Sequence, residues 1–219
     1  MKNSSPTSLV INEIFHSIQG ESSHTGRPCV FVRLTYCNLR CSYCDTAYAF
    51  YDGKEMSIEE VVGSIRGYSC KLVEITGGEP LLQPAVHQLM SRLCDDGYEV
   101  MLETGGSLDI GSVDLRVRKI VDFKCPSSTM VNKNLWENVR YLRNGDEVKF
   151  VIANREDYDW SKDALTRYGI LGRCEVLMSV VFHDLEPVQL VEWILQDRLD
   201  VRFQIQLHKI VWSPETRGV

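Results

Sequence analysis

Residues 37–46 read CNLRCSYCDT and place three thiols, Cys37, Cys41 and Cys44, within eight positions. Thiolates are soft ligands that suit zinc and iron–sulfur clusters. A structural zinc site takes four protein ligands, whereas a redox pair takes two thiols. Three on one tight loop fit a four-iron cluster in which cysteines hold three irons and the fourth stays open. The same residues would also serve a zinc site with a distant fourth ligand, or a cubane closed by Cys29 or Cys125. Cys29, Cys70, Cys94, Cys125 and Cys174 are scattered, mostly in apolar surroundings, and read as small core residues.

A second candidate is Gly77-Gly78-Glu79-Pro80, which follows the apolar run ending at Thr76. Glycines let backbone approach a ligand closely, and a carboxylate accepts hydrogen bonds from an ammonium. Taken alone, Gly-Gly before Glu-Pro also reads as a turn, and Asp45-Thr46 reads as a loop-to-helix cap.

Elements must hold these groups in place. PCVFVRLTYC (28–37) is rich in β-branched and aromatic residues and ends at the cysteines. MSIEEVVGSIRGY has helical spacing and a capping box, Ser57 and Glu60. KLVEITGGEP (71–80) reads as a strand ending in glycines, and QPAVHQLMSRLCDDG (83–97) as a helix with Pro84 near its first turn. Segments 98–106, 118–126, 146–154 and 175–182 are strand-like, with helical patterns near 156–168 and 187–197, and 202–212 reads as a last strand or extended arm. The stretch 107–117 is short for a crossover helix. Near-continuous apolar strands with crossovers of helix length predict a parallel sheet covered by helices. Polar groups recur at the strands' C-terminal ends, the edge where such sheets bind ligands.

The 219 residues, 44% hydrophobic and 25% charged, suit one sizeable α/β domain. A net charge of −6 without a like-charge run argues against non-specific nucleic-acid or membrane-surface binding. No apolar run approaches a membrane span, and MKNSSPTSLV lacks the apolar core of a signal peptide. The expectation is a cytoplasmic protein with reduced thiols.

The cysteine loop resembles the signature of the radical S-adenosylmethionine superfamily, whose open iron chelates the cofactor's amino and carboxylate groups. Tyr43 matches the aromatic residue before the last cysteine, and Gly77-Gly78-Glu79-Pro80 matches the superfamily's second motif. SIQGESSHTGRPCVFVRLTYCNLRCSYCDT, with ITGGEP, LETGG, VDFKCPSS and QLHK, is similar to the 7-carboxy-7-deazaguanine synthase family over most of the chain. That resemblance implies a partial (β/α) barrel with parallel strands, a reduced core of about six strands and few helices. It implies one radical domain over 1–219, with a substrate-recognition segment 12–27, a cluster loop 37–46 and a C-terminal extension 202–219. The family contracts 6-carboxy-5,6,7,8-tetrahydropterin to 7-carboxy-7-deazaguanine and releases ammonia. An electron from the cluster cleaves the cofactor, the deoxyadenosyl radical takes hydrogen from substrate C6, and the radical is returned at the end.

Carried over by motif, Cys37, Cys41 and Cys44 would hold the 4Fe-4S cluster and Thr46 would be the one protein ligand of Mg2+. Tyr43, Gly78, Glu79, Thr104, Lys124 and Ser127 would bind the cofactor. Gln19, Gly20 and Glu21 would recognise the pterin edge, Arg27 would pair with the substrate carboxylate, and Thr76 and His208 would contact substrate. The resemblance also implies a homodimer and an electron donor such as a flavodoxin or ferredoxin, with no direct nucleic-acid or membrane partner. It departs at the end: some members stop soon after the late histidine and place the chain's terminal carboxylate in the site, whereas this chain continues WSPETRGV to Val219. The tail would instead lie over the pocket or across a dimer partner. Two other readings remain: another radical enzyme, such as an activase acting on a protein glycine, or a non-enzymatic electron-transfer or metal-binding module using the cysteines alone.

Overall fold

Side chains alternate between the two faces of a strand, and here the two faces differ in character. In β2 (Pro28–Leu34), Val30, Val32 and Leu34 face one way, and Cys29, Phe31 and Arg33 the other. The computed structural model describes residues 7–219; the first six residues of MKNSSPTSLV, read above for a signal peptide, lie outside them. Among the described residues, β2 joins eight further strands: β1 (Ser8–Ile18), β3 (Lys54–Ser57), β4 (Leu72–Gly77), β5 (Glu99–Thr104), β6 (Arg118–Asp122), β7 (Glu147–Ile152), β8 (Glu175–Val180) and β9 (Arg202–Phe203). They form one open sheet in the order β3-β1-β2-β4-β5-β6-β7-β8-β9. Pairings from β2 to β9 are all parallel, and β1 runs antiparallel to both β2 and β3.

The helices α1 (Ile58–Arg66), α2 (Val86–Asp95), α3 (Arg155–Arg167) and α4 (Pro187–Asp197) supply the apolar side chains that bury one face. Ser57 and Glu60 close the expected capping box at the start of α1. Val30, Val32, Val73, Ile75, Val100, Leu102, Val121, Phe123, Val148 and Phe150 belong to this core and are almost fully buried. The other face carries a smaller cluster, Cys29, Phe31, Leu72, Met101 and Ile120, and turns polar toward the strands' C-terminal ends. The loop after β1 touches β7, five places along the sheet, which requires this face to curve into a cup. The fold is therefore the expected partial barrel, with a mostly parallel sheet and few helices.

Two details differ from expectation, and a third bears one out. Residues 8–18 form the long edge strand β1, which the sequence reading left unassigned. Within 202–212 only Arg202–Phe203 pairs in the sheet, and the chain then turns into the short helix α5 (His208–Val211). The turn is fixed where the Leu207 N–H donates to the Gly20 carbonyl. The short link 107–117 holds no helix; instead the buried Asn138 side chain bonds the backbone of Gly106, Leu108 and Ile110, which satisfies groups that a helix would otherwise have paired.

Candidate functional site

The cysteine loop leaves β2 and is pinned at several points. Arg40 donates to the carbonyls of Cys37 and Leu39 at 2.7 and 2.6 Å and lies 4.2 Å over the Phe50 ring. The Ser42 backbone and hydroxyl bond the carbonyls of Ser128 and Ser127. Tyr43 reaches across to the Val151 carbonyl of β7 at 3.4 Å. Cys37, Cys41 and Cys44 are half-buried and free. Burial raises all three thiols, Cys41 to about 11, while the Lys124 ammonium pulls each back down. Among the described residues no three His, Cys, Asp or Glu are already drawn together as a metal site. Protonated thiols on one loop, beside a cation, fit a metal group whose binding would displace their protons and gather them. The closed-cubane alternatives find no support: Cys125 points into the helix-covered core against Ser161 at 3.5 Å, and Cys29 lies in the apolar cluster of the cup.

The Gly-Gly-Glu turn holds this loop. A Cβ on Gly78 would sit 2.1 Å from the Tyr36 carbonyl, and one on Gly77 2.2 Å from that of Leu34. The glycines thus let β4 close on the cysteine loop itself; Gly78 N–H donates to Leu34 and Glu79 N–H to Tyr36. Glu79 is fully buried, and burial raises its carboxyl. It accepts from Thr104 Oγ1 at 2.9 Å, Gly105 N–H at 2.8 Å and Leu81 N–H at 3.1 Å. Glu79 and Thr104 therefore tie the ends of β4 and β5 together, where the sequence reading had both facing cofactor. Ser127 is similarly occupied by Asp157, Asn154 and Ser42. Lys124 pairs with Asp122 at 2.9 Å. Thr46 stands at the N-cap of a 3-10 turn, Ala47–Phe50, but its side chain makes no capping bond; its hydroxyl donates to Asp45 at 2.8 Å and keeps lone pairs for a hard cation, so the simple cap reading fails.

The β1–β2 loop forms the floor of the cup. Gln19 is buried and bonds Glu74 in the middle of β4. Burial, then the charge of Glu103, push the Glu74 carboxyl well above the usual range. Glu21 gives one oxygen to Lys149 at 2.9 Å, while its Oε1 is buried without a partner. Gly20 is required because a Cβ there would fall 2.1 Å from His208 Nδ1; α5 packs directly on the floor, and burial lowers the His208 pKa. Beyond it the tail lies against the cluster loop: Lys209 binds Asp45 at 2.7 Å, and Arg217 sits 3.9 Å from the Tyr48 ring. Thr76 faces the same space and donates to Glu103 at 3.3 Å.

Arg27 is not brought to this site. It is exposed and pairs with Glu99 at 2.8 Å. Glu99 is the first residue of β5, so the pair sits at the N-terminal edge, about 17 Å along the strand from Thr104 at roughly 3.3 Å per residue. His24 and Arg118 face the same carboxylate there. The guanidinium inside the cup is Arg33, which the sequence reading missed. It is level with Thr76 across the sheet; its Nε donates to Glu13 at 2.7 Å, and it lies 5.7 and 5.8 Å from the Phe15 and Tyr48 rings. Glu13 also accepts from Tyr48 at 2.8 Å, leaving the terminal nitrogens of the Arg33 fork for a ligand. Glu103 and Asp122 stand among the polar groups read at the strands' C-terminal ends but were given no role, and Lys149 was missed as a charged residue within an apolar strand. A depression of about 540 Å³ lined by Arg173–Val176 and Asp200–Arg202 lies elsewhere and contains none of these groups.

A three-cysteine loop at the C-terminal edge of a partial barrel, locked to a Gly-Gly-Glu turn, defines a radical S-adenosylmethionine protein, and the model of that superfamily matches residues 32–186. The fold is shared with the crystal structure of QueE from Escherichia coli, at a TM-score of 0.77 and 21% identity over 92% of this chain and 95% of that one. Two curated relatives named 7-carboxy-7-deazaguanine synthase are similar along nearly their whole length. That of Chlorobaculum tepidum is 48% identical over 96% of this chain and 97% of its own. That of Koribacter versatilis is 43% identical over 96% and 100%. The chain belongs to the 7-carboxy-7-deazaguanine synthase family. It is thereby an enzyme of the radical S-adenosylmethionine class, for which a 4Fe-4S cluster and S-adenosylmethionine are the cofactors. Among the described residues no helix is long and apolar enough to cross a membrane.

Proposed function

We propose that this chain converts 6-carboxy-5,6,7,8-tetrahydropterin to 7-carboxy-7-deazaguanine with loss of ammonia, as one radical domain over 1–219. The observation that carries this is Glu21 Oε1, a buried carboxylate oxygen with no partner beside the Gln19 amide. An unsatisfied buried acceptor costs about 1–3 kcal/mol, so the cup is complete only with a donor-bearing ligand. An aminopyrimidinone edge presents such N–H donors to Glu21 and a carbonyl to an amide. Arg33, in place of Arg27, pairs with the substrate carboxylate through its planar fork.

Cys37, Cys41 and Cys44 hold the cluster, which with S-adenosylmethionine supplies the radical chemistry when bound. Lys124 neutralises the thiolate loop, and Tyr43 and Gly78 form the wall against the cofactor. Glu79 and Thr104 keep the β4 and β5 ends together beneath it, and Ser127 keeps the loop docked. Thr46 contributes one oxygen to Mg2+, a cation that otherwise keeps water and substrate ligands. His208 closes the cup over Gly20 and excludes water. Under this reading the enzyme works in the cytoplasm as a homodimer and takes electrons from a flavodoxin or ferredoxin.

The test is anaerobic reconstitution followed by turnover with a reductant, S-adenosylmethionine and carboxytetrahydropterin. Deazaguanine formation is expected, with about four irons per chain. Deoxyadenosine without deazaguanine would favour a different radical enzyme, and stable zinc with no iron would end the reading.

A further inference from the structure

The cup holds more charge than this reading uses. Lys149, in β7, is 5% exposed, and carboxylates from three other elements share its ammonium. Glu21 Oε2 of the floor loop lies at 2.9 Å, Asp122 Oδ2 of β6 at 3.4 Å, and Glu103 Oε1 of β5 also binds it. Asp122 is level with Lys149 across the sheet, and its Oδ2 also meets Lys124. Breaking such a buried group by removing one charge leaves the others uncompensated.

The division of the oxygens carries the argument. Each carboxylate gives one oxygen to the ammonium. The second oxygen of Glu103 accepts from Thr76. The second oxygens of Glu21 and Asp122 are both buried and both without a partner. Buried acceptors are normally satisfied, and two orphaned ones around a single ammonium make a surface for donors. Glu74 is the contrasting carboxylate of the cup: it bonds Gln19, makes no bond to Lys149, and is pushed toward its neutral form.

We propose that Lys149 is a positioning residue of the pterin pocket: it clamps one oxygen each of Glu21, Glu103 and Asp122, so that Glu21 Oε1 and Asp122 Oδ1 together accept the substrate's N–H donors. Its ammonium serves as a resident cation for three carboxylates, and Asp122 becomes a second recognition residue beside Glu21. This rests on the reading that the pterin occupies the cup.

The test uses the cluster-loaded chain. Lys149→Ala should raise the KM for carboxytetrahydropterin by about 30-fold, the scale of a lost charge-assisted contact, with kcat within about threefold and unchanged cluster absorption. The substrate Kd, measured by equilibrium dialysis without reductant, should rise in step. Added ethylammonium should restore both in Lys149→Ala, because it fits the vacated space. Lys149→Met fills that space without charge and should show the same weak binding and no rescue. An unchanged Kd in either variant overturns the proposal, as does a defect in Lys149→Ala that ethylammonium does not relieve. If Lys149→Ala does not load a cluster, Lys149→Met carries the Kd test, since its stem packs alike. The wild-type arm separates the two readings: a wild-type chain that does not bind the pterin overturns the substrate assignment.

Discussion

The two faces of the same strands follow opposite rules. On the helix-covered face β2, β4, β5, β6 and β7 present Val, Ile, Leu and Phe, almost fully buried. On the cup face the same strands present Arg33, Thr76, Glu103 and Asp122 toward their C-terminal ends and Lys149 near the middle of β7. Apolar burial stabilises by about 25 cal/mol per Å², whereas buried ions gain little over well-packed hydrophobic residues. The first face is therefore where stability resides, and the second is where stability is given up for ligand binding. Substitutions on the two faces should separate into folding defects and activity defects.

The largest effect is expected outside both faces. Cys41→Ala should abolish turnover and iron loading together, while the circular dichroism spectrum of the iron-free chain stays that of the parent. Retained iron with activity would break the three-thiol assignment. Next comes Phe150→Ala on the helix-covered face. Phe150 packs near Phe123 and Trp160, and its loss should cost about 3–5 kcal/mol in denaturant unfolding. A cost below about 1 kcal/mol there would contradict the division of labour. On the cup face, Arg33→Ala should raise the carboxytetrahydropterin KM by about 10- to 100-fold, from the loss of one charge-assisted pairing. Its cluster spectrum should not change; loss of the cluster would make Arg33 structural.

Glu74→Gln probes the cost of the cup more gently. The folded-state pKa of Glu74 lies above its unfolded value, so folding takes up a proton. The stabilising state is fully available below about pH 4.3 and is progressively lost as pH rises toward the folded pKa. Glutamine keeps an acceptor for Gln19 and carries no charge. The variant should therefore match the parent in acid and become more stable than it as pH rises, in unfolding curves taken across that window. A parent–variant difference that stays constant with pH would show that Glu74 does not fold protonated.

Much of this was legible in the sequence, and the failures share a cause. Strand and helix positions followed from apolar periodicity, because each parallel strand buries a face under helices. The edge strand β1 escaped because SLVINEIFHSI is only half-buried, and it lacks the continuous apolar signal of a central strand. The spacing of the cysteine loop narrowed its chemistry to a metal group, and the resemblance chose the open cluster among the alternatives. Glu79 and Thr104 were marked as important, but their mutual bond is a tertiary fact that no local pattern encodes. Arg33, Glu74 and Lys149 had a signal that went unused: a charge inside an apolar strand is expensive unless something pairs with it. Such a residue in PCVFVRL or EVKFVI marks the ligand-facing side more reliably than a charge in a loop.

Arg27 gives the smallest expected effect and the sharpest contrast with Arg33. Both arginines lie in the same segment, and a guanidinium at either could pair with a carboxylate. Arg27 is half exposed, and its hydrogen bond holds Glu99 down at about 2, with His24 assisting. That depression stabilises the fold above the ordinary carboxylate pKa and fades as pH falls through the folded value. Solvent screens the pair, so its worth is at most about 1 kcal/mol. Arg27→Ala should leave KM and kcat within about twofold of the parent and shift stability slightly, more at neutral pH than near pH 2, where Glu99 is already being protonated. A raised KM with unchanged stability would move the carboxylate pocket to the N-terminal edge and remove Arg33 from its role. With both variants in hand, the segment's two arginines are assigned by which edge of one strand each occupies, one setting substrate affinity and the other closing the bottom of the cup.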